Sequence, residues 1–192
     1  GFPFADFKAG SIARVSGHVE DGDGNRLSDY AGIVSMTVYD SESLITCLNN
    51  AAADTAFTFY TRDKRIYVGS DSVRNGVFDM TFTIPLDIKY SGEPGRVLLY
   101  AIDNDKRREA NGYTENVTVG GSGTDLAGDT EGPVITAYLN REDFVSGGTV
   151  NSTPYFVALL EDDSGINTSN TAVGHDLELC IDGDPSTTYI LN

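Results

Sequence analysis

Nucleophilic chemistry needs a thiol or hydroxyl set beside a base. The chain offers two cysteines, Cys47 and Cys180, and two histidines, His18 and His175. Cys47 stands between Thr46 and Leu48, with no basic or glycine-rich setting to lower its pKa. Cys180 alternates with Glu178 and Asp182, while Leu179 and Ile181 turn to the other face of a strand. Both read as small apolar packing residues. They fall in different domains, so two separate thiols are expected rather than a disulfide, whose Cα atoms must approach within about 7 Å.

Oxygen-rich loops are the other chemistry on offer. Asp162, Asp163, Asn167 and Asp176, with His175 adjacent, could converge at one loop end, and such ligands suit Ca²⁺. The same Asp162-Asp163-Ser164-Gly165 run is also an ordinary turn, in which aspartate side chains accept from nearby backbone N–H groups. Asp21-x-Asp23-x-Asn25 has the opening spacing of a calcium loop. Its twelfth position is Gly32, which has no side-chain oxygen, so a structural turn is expected there. No other cofactor is implied. Three Asn-x-Ser/Thr sequons, at Asn116, Asn151 and Asn167, matter only in a glycosylating secretory host.

The charge is −16, unevenly spread. Residues 1–128 carry 12 basic and 18 acidic groups; residues 129–192 carry Arg141 against 11 acidic groups. Nucleic acid and anionic lipid are bound by Lys and Arg, so neither is an expected partner. No apolar run approaches the roughly 20 residues of a membrane span.

The elements that must position these residues are strands. Ten Tyr, nine Phe and 21 Gly in 192 residues, with no sustained 3.6-residue apolar period, predict an all-β chain. Residues 1–10 read as a lead-in linker. Strands are expected at 12–19, 32–39, 56–60, 65–69, 77–84, 95–102 and 113–119, with 41–55 as a long loop or one helical turn. The 56–60 and 65–69 strands would pair through a turn at Thr61-Arg62-Asp63-Lys64. Phe78, Met80, Phe82 and Ile84 share one face. The near-continuous apolar run 95–102 predicts a central strand buried on both sides.

Gly120-Gly121-Ser122-Gly123-Thr124 reads as a flexible linker, so a β-sandwich domain is expected over 1–124. A second, immunoglobulin-like module is expected over 125–192, opening at Gly132-Pro133. It shows about five strands: 134–139, Phe144-Val145, 155–160, 176–181 and 188–191. A complete module of this kind has seven or more. The expectation is two tandem immunoglobulin-like β-sandwich modules, the second C-terminally truncated, in a piece of a longer chain.

Several motifs carry a family resemblance in their order and spacing. In the first module they are Val15-Ser16-Gly17-His18-Val19, Ile33–Asp40, Asn75-Gly76-Val77-Phe78, Ile84–Tyr90 and Leu99-Tyr100-Ala101. In the second they are Asp129–Ile135, Phe144–Gly148, Asp163–Asn167, Val173-Gly174-His175-Asp176 and Leu191-Asn192. Together they resemble the β-sandwich region C-terminal to the catalytic domain in the gingipain-like (family C25) cysteine peptidases of type IX secretion. The resemblance implies a parent enzyme at the outer surface of Bacteroidetes. That enzyme removes C-terminal sorting domains from secreted cargo and joins the new end to a surface glycolipid.

The resemblance places the catalytic His and Cys in an upstream peptidase domain, so no catalytic residue is assigned to this chain; His175 matches a motif of the β region. It implies that domain and other outer-membrane secretion components as partners. The alternative from another class is a cell-surface adhesin or glycan-binding module, since sandwiches host many functions.

Overall fold

The computed structural model describes residues 5–50, 52, 54–167 and 176–191. By its contacts the chain divides into two units: Gly1–Ala127 with Asn167–Asn192, and Gly128–Ile166.

The first unit contains β1 (Ala5–Ala9), β2 (Ile12–His18), β3 (Gly32–Tyr39), β4 (Ser43–Thr46), β5 (Thr58–Thr61) and β6 (Arg65–Val73). These are followed by β7 (Val77–Thr83), β8 (Glu93–Pro94), β9 (Arg96–Asp103), β10 (Glu109–Thr114) and β11 (Val117–Ser122). A four-stranded sheet runs in the order β10-β9-β3-β6. Opposite it in the core lie the β1-β11-β8 sheet and the β2-β7 pair, while β4 and β5 pair with each other. This is an all-β sandwich.

Period-two alternation makes the core. On β3, Val34, Met36 and Val38 are buried; on β7, Phe78, Met80 and Phe82 are buried, followed by Ile84. Phe82 stacks on Tyr67 of β6 at 4.3 Å between ring centroids and meets Phe7 of β1 edge-on at 5.7 Å. One phenyl ring thus ties three strands, and burying a side chain of that size contributes about 1.5–3 kcal/mol. Asn75 and Gly76, both at positive φ, form the two-residue turn that carries the chain from β6 to β7. A Cβ on Gly76 would lie 2.2 Å from the Leu27 carbonyl oxygen.

Several expectations are corrected. Residues 5–9 are a strand, not a linker: Phe7 and Ala9 alternate with Asp6 and Lys8, and β1 pairs parallel to β11. β11 runs to Ser122, so Gly120 and Gly121 belong to a sheet rather than to a flexible linker, and the Gly123 N–H donates to the Ala9 carbonyl. The 113–119 strand divides into β10 and β11, because at Glu115-Asn116 the chain passes from the sheet of β9 to the sheet of β1 and β8. β5 pairs with β4, not with β6. β9 is central but buried on one side only: Val97 and Ala101 face the core, while Leu98 and Tyr100 are partly exposed.

In the second unit β12 (Val134–Leu139) pairs antiparallel with β13 (Phe156–Glu161). Phe144 and Val145 lie in successive turns and form no strand. Beyond the undescribed 168–175, β14 (Glu178–Cys180) pairs with β15 (Thr188–Ile190) through a short 3-10 turn at Pro185–Thr187.

The charged turn after β9 is held by one buried carboxylate. Asp103 accepts from the Arg107 N–H at 2.8 Å and from the Arg108 Nε at 2.9 Å. Arg108 also pairs with Asp29 at 3.0 Å and lies over the Tyr30 ring at 5.1 Å. These donors, the Arg107 N–H first, hold the Asp103 carboxyl below the usual aspartate value of 3.8. Its contribution to stability is therefore complete above that value and is lost as pH falls through the lower folded one. Acid unfolding followed by circular dichroism should show Asp103→Asn less stable at neutral pH and flatter in its acid limb below about pH 4. Gly32 faces a harder limit: a Cβ there would sit 2.1 Å from the Ile102 carbonyl oxygen. Gly32→Ala should cost about 1–3 kcal/mol in urea unfolding by forcing β3 from β9.

Candidate functional site

The residues with potential chemistry are scattered. His18 ends β2 and pairs with Glu20 at 2.6 Å. Cys47 is half-buried just past β4, and its N–H donates to the Phe57 carbonyl. Cys180 on β14 is exposed, its Sγ 3.3 Å from the Asp184 carbonyl oxygen. Both thiols are free. His175 lies outside the described residues.

The four expected calcium ligands divide between the units. Asp162 and Asp163 follow β13 in Gly128–Ile166, whereas Asn167 and Asp176 group with the other unit. Asp162 and Asp163 line a depression of about 460 Å³ with Asp129, Glu131 and Glu161. Two of these carboxylates accept hydrogen bonds within turns. Asp162 Oδ1 accepts from the Ser164 N–H at 2.8 Å, and Asp129 Oδ1 from the Glu131 N–H at 3.1 Å. A hydrogen bond from the Ser164 side chain, then the Glu131 N–H, holds Asp129 below its ordinary pKa. Among the described residues no three His, Cys, Asp or Glu side chains are placed to share an ion.

The 21–25 loop is likewise a structural turn. Asp21 Oδ1 accepts from the Asp23 and Asn25 N–H groups, each at 2.9 Å. Those bonds, Asn25 first, depress its pKa.

What the sequence reading missed is an arm. β3 leads into β4 and β5 leads into β6, so the four form one long hairpin whose inner half is β3–β6 and whose outer half is β4–β5. The signal was available: from Ser43 to Thr61 the only charged residue is Asp54.

The base of the arm is clamped by ions. Asp40, wholly buried, accepts from the Ser41 and Lys89 N–H groups, both at 2.7 Å. Lys89 Nζ donates to the Ser41 carbonyl at 3.0 Å and to Ser43 Oγ. Lys64 pairs with Asp87 at 2.9 Å, and Arg62 with Glu42 at 2.7 Å. Arg96 donates through Nε to Glu115 at 2.7 Å, and Arg62 approaches the same carboxylate at 3.4 Å. The Arg96 hydrogen bond, assisted by Arg62, keeps Glu115 below its usual pKa against the opposing effect of burial. Arg62 Nε is buried without a hydrogen-bond partner among the described residues.

Beside this clamp Tyr39, Tyr60, Arg62, Arg96 and Leu98 line a depression of about 390 Å³. It continues onto the outer face of the four-stranded sheet, where Tyr100 and Tyr113 are exposed and Arg96 lies 5.9 Å from the Tyr113 ring centroid. Aromatic rings with flanking guanidinium groups can stack on planar or sugar-like surfaces. This face and the arm expose aromatic and apolar side chains to solvent.

Two measurements follow. Asp40→Ala would leave two buried N–H groups without their acceptor and should cost about 2–3 kcal/mol in urea unfolding, with Asp40→Asn milder. Because Asp162 and Asp129 are engaged in turns, neither millimolar Ca²⁺ nor chelator should move the melting temperature; a rise with Ca²⁺ alone would overturn this.

No family model and no curated protein matches the chain. Among solved structures, dimeric latent PorU from Porphyromonas gingivalis matches with a TM-score of 0.66 and 32% identity. The match covers 98% of this chain and 18% of that one. Spo0M, a sporulation control protein from Bacillus subtilis, matches with a TM-score of 0.35 and 16% identity over 60% of this chain and 45% of that one, a likeness too slight to build on. Fold and sequence agree along nearly the whole chain, and together they bear out the resemblance carried by the motifs: this is a PorU-related β-sandwich region.

Proposed function

We propose that this chain is the non-catalytic C-terminal β-sandwich part of a PorU-like cysteine peptidase of the cell surface. In this reading the whole enzyme removes C-terminal sorting domains from type IX secretion cargo and links the cargo to a surface glycolipid. The sandwich supports an upstream peptidase domain and docks outer-membrane components of the secretion machinery. The observation that carries the reading is the 32% identity held over 98% of the chain. The form of the surface agrees with it: a clamped arm and an aromatic sheet face offer contact area, while His18 is paired with Glu20 and both thiols are free.

A peptidase assay on peptides spanning a cargo sorting-domain junction should find no hydrolysis by this chain alone. Turnover abolished by Cys47→Ala or Cys180→Ala would overturn the assignment.

The exposed Tyr60, Tyr100 and Tyr113 with Arg96 favour a second reading, a surface glycan-binding module. It requires binding on a glycan array that weakens about tenfold or more in Tyr113→Ala, the loss expected when an anchoring aromatic is truncated.

A further inference from the structure

We propose that the open edge of β10 takes up an extended, basic peptide segment of a partner protein as an added strand. β10 ends one side of the four-stranded sheet and is strand-paired with β9 alone. Exposed edges are ordinarily blunted by lysine, proline or a bulge. Glu109–Thr114 has none of these: its register against β9 runs unbroken, and Glu109 is its only charged residue.

Beneath this edge the core layer has a gap. Ala110 and Gly112 stand opposite Ala101 and Leu99, which face the interior, so β10 presents only small groups to the core there. A Cβ placed on Gly112 would meet nothing within 4 Å. A groove of about 440 Å³ runs from Gly112 across to His18 at the end of β2. Its floor is apolar: Val34 and Phe78 belong to the buried core, and Leu99 packs against it.

The backbone supplies the register. The Asp103 N–H donates to the Arg108 carbonyl at 3.1 Å, which makes that pair a hydrogen-bonded one. Bonded and non-bonded pairs alternate along an antiparallel ladder, so Ala110 and Gly112 bond to β9. Glu109, Asn111 and Tyr113 therefore direct their N–H and C=O groups to the open edge. An antiparallel strand bonded to those three sets one of its residues opposite Gly112 in a non-bonded pair, where side chains approach most nearly. That side chain drops through the gap onto Leu99 and Phe78. Main-chain bonds thus hold the added strand, and the groove selects its side chains.

Charge selects the occupant. Glu20 and Asp21 line the groove, Glu109 stands on the strand, and among the described residues no Lys or Arg lines the groove. The chain as a whole carries −16. A strand with Lys opposite Glu109 gains a cross-strand pair and is drawn in by the field, whereas an acidic strand or a second copy of this chain is repelled. The occupant is therefore a segment that alternates apolar residues with Lys or Arg.

Fluorescence anisotropy of the 192-residue chain with the labelled peptide Val-Lys-Leu-Thr-Val-Lys tests the proposal. Antiparallel pairing puts its Leu opposite Gly112 and its last Lys opposite Glu109. Saturable binding is expected, lost when both Lys are replaced by Glu. Gly112→Val fills the gap, where neither space nor backbone opposes a side chain, and should weaken binding about tenfold or more without lowering the melting temperature. Asn111→Pro, which removes an N–H from the open edge and none from the β9 ladder, should weaken it similarly with unchanged far-ultraviolet circular dichroism. Absence of saturable binding would overturn the proposal, as would binding indifferent to both substitutions. Equal binding of the peptide with Thr replaced by Pro would reduce the contact to charge alone and overturn it too. So would a dimer lost in Gly112→Val in place of peptide binding.

Discussion

Strand β3 is paired on both edges, with β6 and with β9, and the first unit is arranged about it. Its inward side chains, Val34, Met36 and Val38, are essentially sealed from solvent. Its backbone must lie flat against β9 at Gly32, where even a methyl group would meet the Ile102 carbonyl. From that strand the core follows. β7 lays Phe78, Met80 and Phe82 against it from the opposite layer, and Phe82 gathers Tyr67 and Phe7. Hydrophobic burial sets which face turns inward, and pairing on both edges removes the freedom to slip register.

The same strand launches the arm. Past Tyr39 the chain leaves the sandwich yet keeps its hairpin partner, so the ladder continues into solvent as β4 and β5. Asp40, Lys89, Lys64 and Arg62 brace that exit. Buried charge is tolerated there because nearly every group has a partner, Arg62 Nε being the exception among the described residues. The result is a braced, nearly uncharged arm on an acidic body.

Much of the fold was legible from local pattern. The alternation of Phe78, Met80, Phe82 and Ile84, the Asn75-Gly76 turn, and the strand over 32–39 are properties of short segments, and local rules capture them. The Asp21–Asn25 turn was legible for the same reason. The errors have a common cause. Ala5–Ala9 and Val117–Ser122 support each other across more than a hundred residues, so neither announces itself alone. β5 could close with either neighbour in sequence, and the register of the long hairpin sets it against β4. β9 resembled a strand buried on both sides because Leu98 and Tyr100 are apolar; whether a second layer covers them is not written in the strand.

What the sequence by itself determined was composition-level and short-range: an all-β chain, strongly acidic, poor in catalytic constellations, with motifs whose order matched one family. Those depend on residue types and on spacings of two to four positions, which chain geometry converts directly into faces and turns. Only the tertiary structure decided which strands pair, which apolar faces stay open, and where an uncharged stretch becomes an arm. Those outcomes depend on long-range pairing, in which each segment competes for partners distant in the chain and is selected by the burial that the whole assembly achieves.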